Sequence, residues 1–486
     1  MEMSPGKKRA LLVIGGIVAA LALAIAAVVL FVDFNRYKSR FETEASRALG
    51  LEVRIRGEMN LALFPPPGLT LAGIEVARNG EDVLRVERMR GGLKILPLFL
   101  GRIRFRELEF VRPELSLRRT TSGPFDFERY LYRPLRNARE ALPGTFDRID
   151  GISVTEGKIS YAGTDPASRV LLEDLDLAIR DVAFPETSGE EFPRNVSFAG
   201  TVTAARASIG SAEFSGISCG MTAKNGNYEI DPVTLQAFGG TGEGTVWVNL
   251  SVSTPLVQAR YSLTGAGIGS LFAASGRKRA TLEGKVDLSA NLFMKGGTPD
   301  ALAGTMTGDI SWKGNDLTVL DFDPDVLLSV SGKKKGVSLA QMGALLLPGP
   351  PLTAAARGLS APDNAVETDR GEGPVRTLVS TWTVKNGVFE AKDVALATTG
   401  HRVALKGGID LPGERFDEIT VALVDDRGCP LAGETIEGPF RLPRTTLATF
   451  AKTIEPDGEI PIAKSKEPAP EEGCEVFYAG SVPPPE

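Results

Sequence analysis

Hydrophobic residues fill one early stretch of the chain without interruption and then alternate with polar residues through most of the remaining sequence. Residues 10–32 contain no charged side chain and no proline. A helix of this length would measure about 34 Å at a rise of about 1.5 Å per residue, which is enough to cross a hydrocarbon core of about 30 Å. Lys7, Lys8 and Arg9 directly precede the segment, and basic residues on that side favour a cytoplasmic N-terminus. The pattern predicts a single-pass membrane anchor at residues 10–32.

A cleaved signal peptide is the alternative interpretation of this segment. The apolar stretch is longer than the hydrophobic region of a typical signal peptide, and no A-x-A cleavage motif precedes the first polar residues. Both features favour an anchor that stays with the mature chain.

The residues after the apolar segment have the spacing of a short amphipathic helix. Phe34, Tyr37, Phe41 and Ala45 recur at steps of three and four residues, which is the periodicity of one helical face. Gly50 stands where the glycine that ends a helix is expected. Such a helix either lies on the membrane surface or covers the first sheet, and the pattern alone leaves both arrangements open.

From Val53 onward, apolar residues alternate with polar ones, which is the pattern of half-buried β-strands. The first run extends to Leu63, and the prolines of 65–67 interrupt it. The alternation changes register near Gly73, which predicts a β-bulge. Further alternating runs are 84–87, 93–95, 103–105, 108–110, 115–117, 152–154 and 175–179.

These patterns predict a mainly β fold, in which one transmembrane helix precedes a long, curled antiparallel sheet. Helical spacing is scarce, and the best internal candidates are Ser338–Leu347 and Arg129–Leu142. Each strand has one apolar face, which another sheet, a helix or an apolar ligand must cover. The sheet either folds over on itself as a filled sandwich or leaves an elongated apolar groove, and periodicity does not choose between them.

Composition and single residues narrow the function classes. A net charge of −6, without a basic stripe interleaved with aromatics, argues against a nucleic-acid partner. Residues 321–325 begin like a calcium loop, but Val326 stands where that loop needs glycine. The run instead predicts a turn before a helix that an Asp caps. His401 is the single histidine and no nucleophile motif accompanies it, so an enzyme is disfavoured and no metal or cofactor is expected.

Several motifs in a specific order resemble the N-terminal domain of the AsmA family. After the apolar anchor they are Phe64-Pro65, Gly68-Leu69-Thr70-Leu71, Leu98-Phe99-Leu100-Gly101-Arg102-Ile103 and Pro113-Glu114-Leu115-Ser116-Leu117. Residues 379–412 resemble the strand pairs of the family, with their Asn-Gly turn, and 473–485 is similar to its terminus. The resemblance extends over nearly the whole chain and is weakest at residues 180–280.

The resemblance implies a protein anchored in a bacterial inner membrane, with the bulk of the chain in the periplasm. AsmA-like proteins, with their larger TamB-type relatives, look like bridge-like lipid-transfer proteins that carry phospholipid toward the outer membrane along a hydrophobic β-groove. Phospholipids and the inner membrane are then the expected partners, with an outer-membrane or periplasmic partner at the C-terminal end. Inward residues that would line the groove are Ile55, Leu61, Leu63, Leu69, Leu71, Leu93, Ile95, Ile103 and Phe105.

The same resemblance places Cys429 and Cys474 at the end of the groove, which predicts a disulfide between them in the oxidising periplasm. In the entropic model, closing a loop of about 45 residues stabilises the fold by up to about 4 kcal/mol. Cys219 would remain as a small buried side chain. Three free thiols are the alternative.

Five segments follow from this interpretation: an anchor at 1–33, an N-terminal α/β domain at 34–145, a central β-groove at 146–330, a C-terminal β domain at 331–452 and a Pro-rich tail with a terminal strand at 453–486. The alternative to a lipid conduit is a scaffold that assembles outer-membrane proteins through exposed sheet edges. A conduit predicts that Leu71→Glu abolishes function while the protein still accumulates, whereas a scaffold is more sensitive at edge strands.

Overall fold

A computed structural model of the chain describes residues 34–62, 67–94, 97, 104–118, 148–163, 169–183, 192–274, 282–320, 322–330, 339–347, 371–448, 450 and 474–485. The anchor predicted at 10–32 and the helix predicted at 129–142 lie outside these residues. Within the described ranges, no helix combines the length and the apolar composition that crossing a bilayer requires.

Strands dominate the part of the chain that the structure describes, with 66% of its residues in strands and 13% in helices, so the mainly β class is confirmed. The strands are β1 Glu52–Ile55, β2 Met59–Ala62, β3 Gly68–Arg78, β4 Glu81–Leu93, β5 Phe105–Arg118, β6 Arg148–Ala162, β7 Val170–Ala183, β8 Ser197–Ile209, β9 Ala212–Lys224, β10 Asn227–Ala237, β11 Gly240–Asn249, β12 Leu256–Gly267, β13 Leu282–Glu283, β14 Lys285–Lys295, β15 Thr307–Val319, β16 Gly373–Lys385, β17 Val388–Thr398, β18 Arg402–Asp410, β19 Arg415–Val424, β20 Pro430–Pro439 and β21 Arg444–Leu447. The α-helices are α1 Lys38–Leu49, α2 Phe192–Asn195, α3 Ile268–Ala274, α4 Pro299–Thr305, α5 Pro324–Val330 and α6 Leu339–Leu345, and a 3-10 turn, Phe34–Tyr37, precedes α1.

Several local predictions are confirmed by the backbone. Gly50 ends α1 in the left-handed conformation, with φ at 69°. At Gly73, where φ is 62°, β3 changes its alignment by one residue between its partners β1 and β2. The helix predicted at Ser338–Leu347 is α6. α5 follows a turn in which Asp323 Oδ1 accepts a hydrogen bond from Asp325 N at 2.9 Å, as an N-cap does.

The chain divides into two compact units. The first comprises the described residues within Met1–Ala207 together with Gly220–Gly226, and the second comprises those within Ser208–Cys219 and Asn227–Glu486. This division does not test the five segments inferred from the sequence, which stay predictions.

In the first unit, β1 and β2 both pair with β3, and antiparallel ladders join β3 to β4, β4 to β5 and β6 to β7. β5 and β6 are parallel, with Leu108 opposite Ile152. The prediction of a wholly antiparallel sheet is therefore wrong at this point. Parallel neighbours need a long crossover instead of a hairpin, and residues 119–147, outside the described ranges, connect these two strands.

In the second unit, antiparallel ladders join β10, β11, β12, β14 and β15, and then β16 to β21 in chain order. β13 is a two-residue strand that pairs with β15. The β16–β17 turn is Asn386-Gly387, with φ values of 51° and 76°. Positive φ at both central residues is what a two-residue hairpin turn requires.

One face of the sheet in the second unit is filled by the chain itself. Helices α3, α5 and α6 contribute buried side chains to the same hydrophobic cluster as the strands from β15 to β20. The carbonyl of Leu346, just after α6, accepts hydrogen bonds from Trp312 Nε1 at 3.4 Å and Ser380 Oγ at 2.5 Å. A helix end leaves carbonyl groups without intrahelical partners, and these bonds satisfy one of them inside the core. This face is therefore a packed core.

The opposite face of β16 to β19 carries small side chains beneath the C-terminal segment, residues 474–485. Ala395, Ala397 and Ala404 are buried there in one cluster with Tyr478 and Val482. Strands covered on both faces carry continuous apolar runs instead of alternating ones. The C-terminal segment is thus a third layer over this sheet.

Cys429 and Cys474 are bonded, with their Cα atoms 5.9 Å apart, so the predicted disulfide pairing is confirmed. Cys219 lies outside this bond and is partly exposed, not buried as expected. Residues 476–478 are irregular and do not form the predicted terminal strand. Phe477 N and Tyr478 N both donate to Gly428 O, at 2.9 and 3.0 Å, whereas successive N–H groups of a strand point in opposite directions.

Helix α1 closes the edge of the sheet that β1 and β2 form. Three side-chain acceptors each bind one strand N–H: Glu42 Oε1 to Ile55 N at 2.6 Å, Ser46 Oγ to Val53 N at 2.9 Å and Asn35 Oδ1 to Met59 N at 2.9 Å. Ala45 and Leu49 pack against the cluster beneath. An uncovered edge presents unpaired backbone groups to solvent; α1 removes two of them, and the 3-10 turn before it removes a third. The helix thus covers the first sheet, which is one of the two arrangements that the pattern left open.

Candidate functional site

Apolar residues of the first unit line up across strands β3 to β7. Residues that face one another across a strand pair share one side of the sheet. One row of such partners is Leu71, Met89, Phe110, Val154 and Leu177. A second row is Val76, Leu84, Leu115, Ile159 and Leu172. We call the surface that these two rows form the apolar face.

Between the two rows, the alternation of apolar and polar residues changes parity in every strand. Gly73 in β3, Arg112 in β5, Glu156 in β6 and Asp174 in β7 all have positive φ, between 48° and 62°. A single residue in this conformation turns the following side chains over. Because the strands change together, both rows stay on the same side of the sheet.

On the apolar face, the β3 residues Leu71 and Val76 are buried, and their partners on β4 to β7 are half-buried. Ile55 is 2% and Leu71 is 4% exposed, because α1 covers the first strands. On β7, Leu175, Leu177 and Ile179 are only half-buried, while the residues between them are exposed. The apolar side chains of this face are thus only half-buried on β4, β5, β6 and β7.

Some of the predicted lining residues are buried or half-buried, and the side chains of the others are not described by the structure. Ile55, Leu71 and Leu93 are buried, whereas Leu69 and Phe105 are half-buried. Leu61 pairs with Leu69 in the ladder, but its side chain is not described. Leu63, Ile95 and Ile103 lie outside the described residues. The lining as a whole stays a prediction.

The half-buried residues of β6 and β7 were not among the predicted lining. Val154 faces Leu177, and Ile152 faces Ile179. The signal for them was present, since residues 175–179 alternate as clearly as the earlier runs. The sequence pattern did not indicate that β6 pairs in parallel with β5.

The polar side of the same strands carries ion pairs at the parity change. Arg112 lies 2.8 Å from both Glu156 and Glu87, and hydrogen bonds to these carboxylates raise the pKa of its guanidinium above its ordinary value. Glu173 binds Lys158 at 3.0 Å and Arg206 at 3.4 Å, and the bond from Lys158 lowers the pKa of Glu173. These charges mark the side that faces water.

His401 has a structural position. Its Nδ1 lies 2.7 Å from Asp325 Oδ1, and Thr398 Oγ1 donates to the same oxygen. Gly400 N donates to both Asp325 oxygens at 3.2 Å. These bonds tie the first turn of α5 to the turn between β17 and β18. In the part of the chain that the structure describes, no three His, Cys, Asp or Glu side chains are grouped as ligands of a metal ion would be.

The model of the AsmA family matches residues 3–191 of the chain. The match contains the predicted anchor and the strands of the apolar face from β3 to β7. No curated protein and no solved structure matches the chain. The match over residues 3–191 supports the resemblance to the AsmA family that the sequence motifs carry.

Proposed function

We propose that this protein is anchored in the inner membrane, lies mainly in the periplasm, and binds phospholipid acyl chains on its apolar face. In this way it supports lipid transport to the outer membrane and the homeostasis of that membrane, without making or breaking a covalent bond. Similarity to the AsmA family suggests an envelope-associated function. The observation that carries the finer proposal is the half-buried row of apolar side chains on β7.

The physical basis of binding is burial of acyl methylene groups. Each methylene that leaves water contributes about 0.8 kcal/mol. Neighbouring strands lie about 4.8 Å apart, so the rows offer similar apolar contacts at regular steps across the face. A chain that slides by one step loses one set of contacts and gains an equivalent one, which keeps barriers to movement low.

Charged residues on the opposite side of the sheet also favour binding of acyl chains on the apolar face. Arg112, Glu156 and Glu173 take part in ion pairs there, and acyl chains would have to displace water from charged groups to bind on that side. The polar headgroup can stay in solvent at the rim of the apolar face. The second unit is less suited, because its own helices α3, α5 and α6 occupy the equivalent surface.

A scaffold for outer-membrane proteins is the second candidate. At the β1–β2 edge, the acceptors on α1 and on the 3-10 turn before it occupy backbone groups that an added strand would need. In the second unit, β21 pairs only with β20 among the described residues, and its Leu447 is 82% exposed. A β-strand from a partner would fit such an edge.

Photo-crosslinking in cells tests the proposal with the full chain. Benzoylphenylalanine is introduced in place of Leu177, which lies on the apolar face, or of its exposed neighbour Ala178 as the matched control. Phospholipid adducts, identified by mass spectrometry, are expected at position 177 and not at 178. Equal labelling at both positions, or none at 177, would contradict lipid binding on this face. The same probe at Leu447 would capture a protein if the scaffold hypothesis holds.

A further inference from the structure

Helix α1 begins beside two exposed aromatic side chains that lie one helical turn apart. Tyr37 directly precedes the helix and is 53% exposed, and Phe41 is 36% exposed. The cluster that Ala45 and Leu49 join on the sheet side does not include either ring. Aromatic rings concentrate where a membrane meets water.

The bonds between α1 and the sheet keep these rings at the flank of the helix, beside the side that covers the sheet. Lys38 Nζ donates to Gly57 O at 3.1 Å, and Glu42 and Ser46 accept hydrogen bonds from β1. These three residues are spaced by four and therefore share one face of the helix. Phe41 lies about 100° of rotation away from Glu42, so the helix cannot turn the two aromatic rings toward the sheet without breaking these bonds. We call Tyr37 and Phe41 the aromatic stripe.

Basic residues lie next to the aromatic stripe. Arg40 is exposed and adjoins Phe41, and Arg47 is exposed further along the helix, in an ion pair with Glu44 at 2.7 Å. Basic residues close to a membrane surface are attracted to anionic headgroups. Aromatic and basic side chains are thus available together at the start of one helix.

The position of α1 in the chain keeps it close to the bilayer if the anchor forms as proposed. The link from Val32 to Lys38 spans at most about 20 Å even when fully extended. Its residues Phe34–Tyr37 form a 3-10 turn, which rises only about 2 Å per residue. The aromatic stripe therefore cannot lie far beyond the headgroup layer.

We propose that α1 lies on the headgroup layer of the bilayer that holds the anchor, with Tyr37 and Phe41 at the boundary between acyl chains and headgroups. Arg40 then faces the phosphate groups of anionic phospholipid. Since α1 also binds the β1–β2 edge, it fixes that edge of the sheet at the membrane surface. This inference rests on the proposed anchoring of residues 10–32.

Tryptophan fluorescence of the full chain in vesicles tests the proposal. Phe41→Trp places a reporter on the aromatic stripe, and Ser39→Trp places the matched control on the same helix, about 160° of rotation away. Vesicles contain phosphatidylcholine and phosphatidylglycerol, with or without bromine on the upper part of the acyl chains. The signal of the three natural tryptophans is subtracted with the unsubstituted protein.

Bromine is expected to quench the reporter at position 41 at least about twofold more than the reporter at position 39, since only the aromatic stripe meets the acyl boundary. Equal quenching of the two, or none, would overturn the surface position of α1. Flotation of the same vesicles separates this outcome from failure of the anchor. A protein that floats with the vesicles and shows no difference refutes only the inference about α1, whereas a protein that does not float refutes the anchoring as well.

Discussion

The hydroxyl group of Tyr478 connects the C-terminal segment to the sheet, because it acts both as a hydrogen-bond donor and as an acceptor. Its Oη donates to Asp393 Oδ1 at 2.6 Å and accepts from Val482 N at 2.9 Å. The guanidinium of Arg402 lies over the ring, 5.5 Å from the centroid. Burial, and then the bond to Asp393, raise the pKa of the Tyr478 phenol above its ordinary value.

Replacing this hydroxyl is expected to weaken the fold. Tyr478→Phe leaves Val482 N–H buried without its acceptor, so the free energy of unfolding should fall by about 1–3 kcal/mol. Urea denaturation near neutral pH measures the change. Ser481→Ala is the control, because its Oγ binds the same Asp393 carboxylate but is exposed, and it should cost less. Equal losses for the two variants would contradict a special role of Tyr478.

The raised pKa of Tyr478 also predicts a pH dependence. The folded state keeps the phenol proton at pH values where the unfolded chain, with a pKa near 10, loses it. The stabilisation that Tyr478 provides is therefore complete below about pH 10 and is lost as pH rises through the folded-state pKa. The difference in unfolding free energy between wild type and Tyr478→Phe should shrink between about pH 9 and pH 11. A difference that stays constant would show that Tyr478 does not titrate differently in the two states.

At the scale of single elements, a residue with positive φ can join two alternating runs of opposite phase into one strand. Residues 108–110 and 115–117 alternate in opposite phase, and the pattern alone predicts two short strands. The structure joins them in β5, because Arg112 adopts a φ of 48° between them. Left-handed conformations are uncommon for residues other than glycine, so sequence periodicity alone does not reveal that the two runs form one strand.

The edge contacts of α1 make a prediction about stability at the same scale. Glu42→Ala removes the acceptor of Ile55 N–H and should lower the unfolding free energy by about 1–3 kcal/mol. Glu44→Ala, on the same helix, removes only an exposed ion pair with Arg47 and should change it by less than about 0.5 kcal/mol. Hydrogen exchange of the Ile55 amide, with urea denaturation, measures both. Similar exchange rates in the two variants would mean that α1 does not protect this edge.

The disulfide makes a further prediction for the C-terminal segment. Cys429→Ser with Cys474→Ser opens a loop closed across 45 residues and should destabilise the second unit by up to about 4 kcal/mol. Limited proteolysis should then cut within or next to 474–485 much faster than in the wild type. Cys219→Ser, outside the bond, serves as the control. Unchanged proteolysis would mean that the packing of Tyr478 and Val482 alone holds the segment in place.

At the scale of the whole molecule, the two units differ in what covers their apolar surfaces. In the second unit, helices α3, α5 and α6 cover one surface of the strands from β15 to β20, and the C-terminal segment covers the other surface of β16 to β19. In the first unit, α1 covers the early strands, and β7 keeps half-buried leucines. Lipid binding is therefore proposed for the first unit.

This difference changes which substitution tests the proposed function. Leu71→Glu would bury a charge beneath α1 and unfold the first unit, so it does not separate binding from folding. Leu177→Glu places the charge at a half-buried position instead and should abolish support of the outer membrane while the protein still accumulates. Ala178→Glu, one residue away and exposed, should behave like wild type. Complementation of a deletion strain, measured as resistance to detergent and large antibiotics, compares them at equal protein levels. Equal behaviour of the two variants would contradict the conduit.

Much of the local structure was determined by the sequence alone. Alternation predicted the strands, because one apolar face per strand is a property of each short segment by itself. Gly50, Gly73 and the Asn386-Gly387 turn were recognisable for the same reason, since positive φ favours particular residue types at single positions. The order of the motifs was enough to indicate the resemblance to the AsmA family, which the match over residues 3–191 supports.

The tertiary structure alone decided how these segments cover one another. The parallel pairing of β5 with β6, the double burial of Ala395 and Ala397 and the irregular backbone of 476–478 depend on partners distant in sequence. The same holds for the acceptors on α1, because Glu42 and Ser46 look like ordinary polar helix residues until a strand edge lies beside them. Periodicity records which side of an element is apolar, and only the assembled chain shows what covers that side.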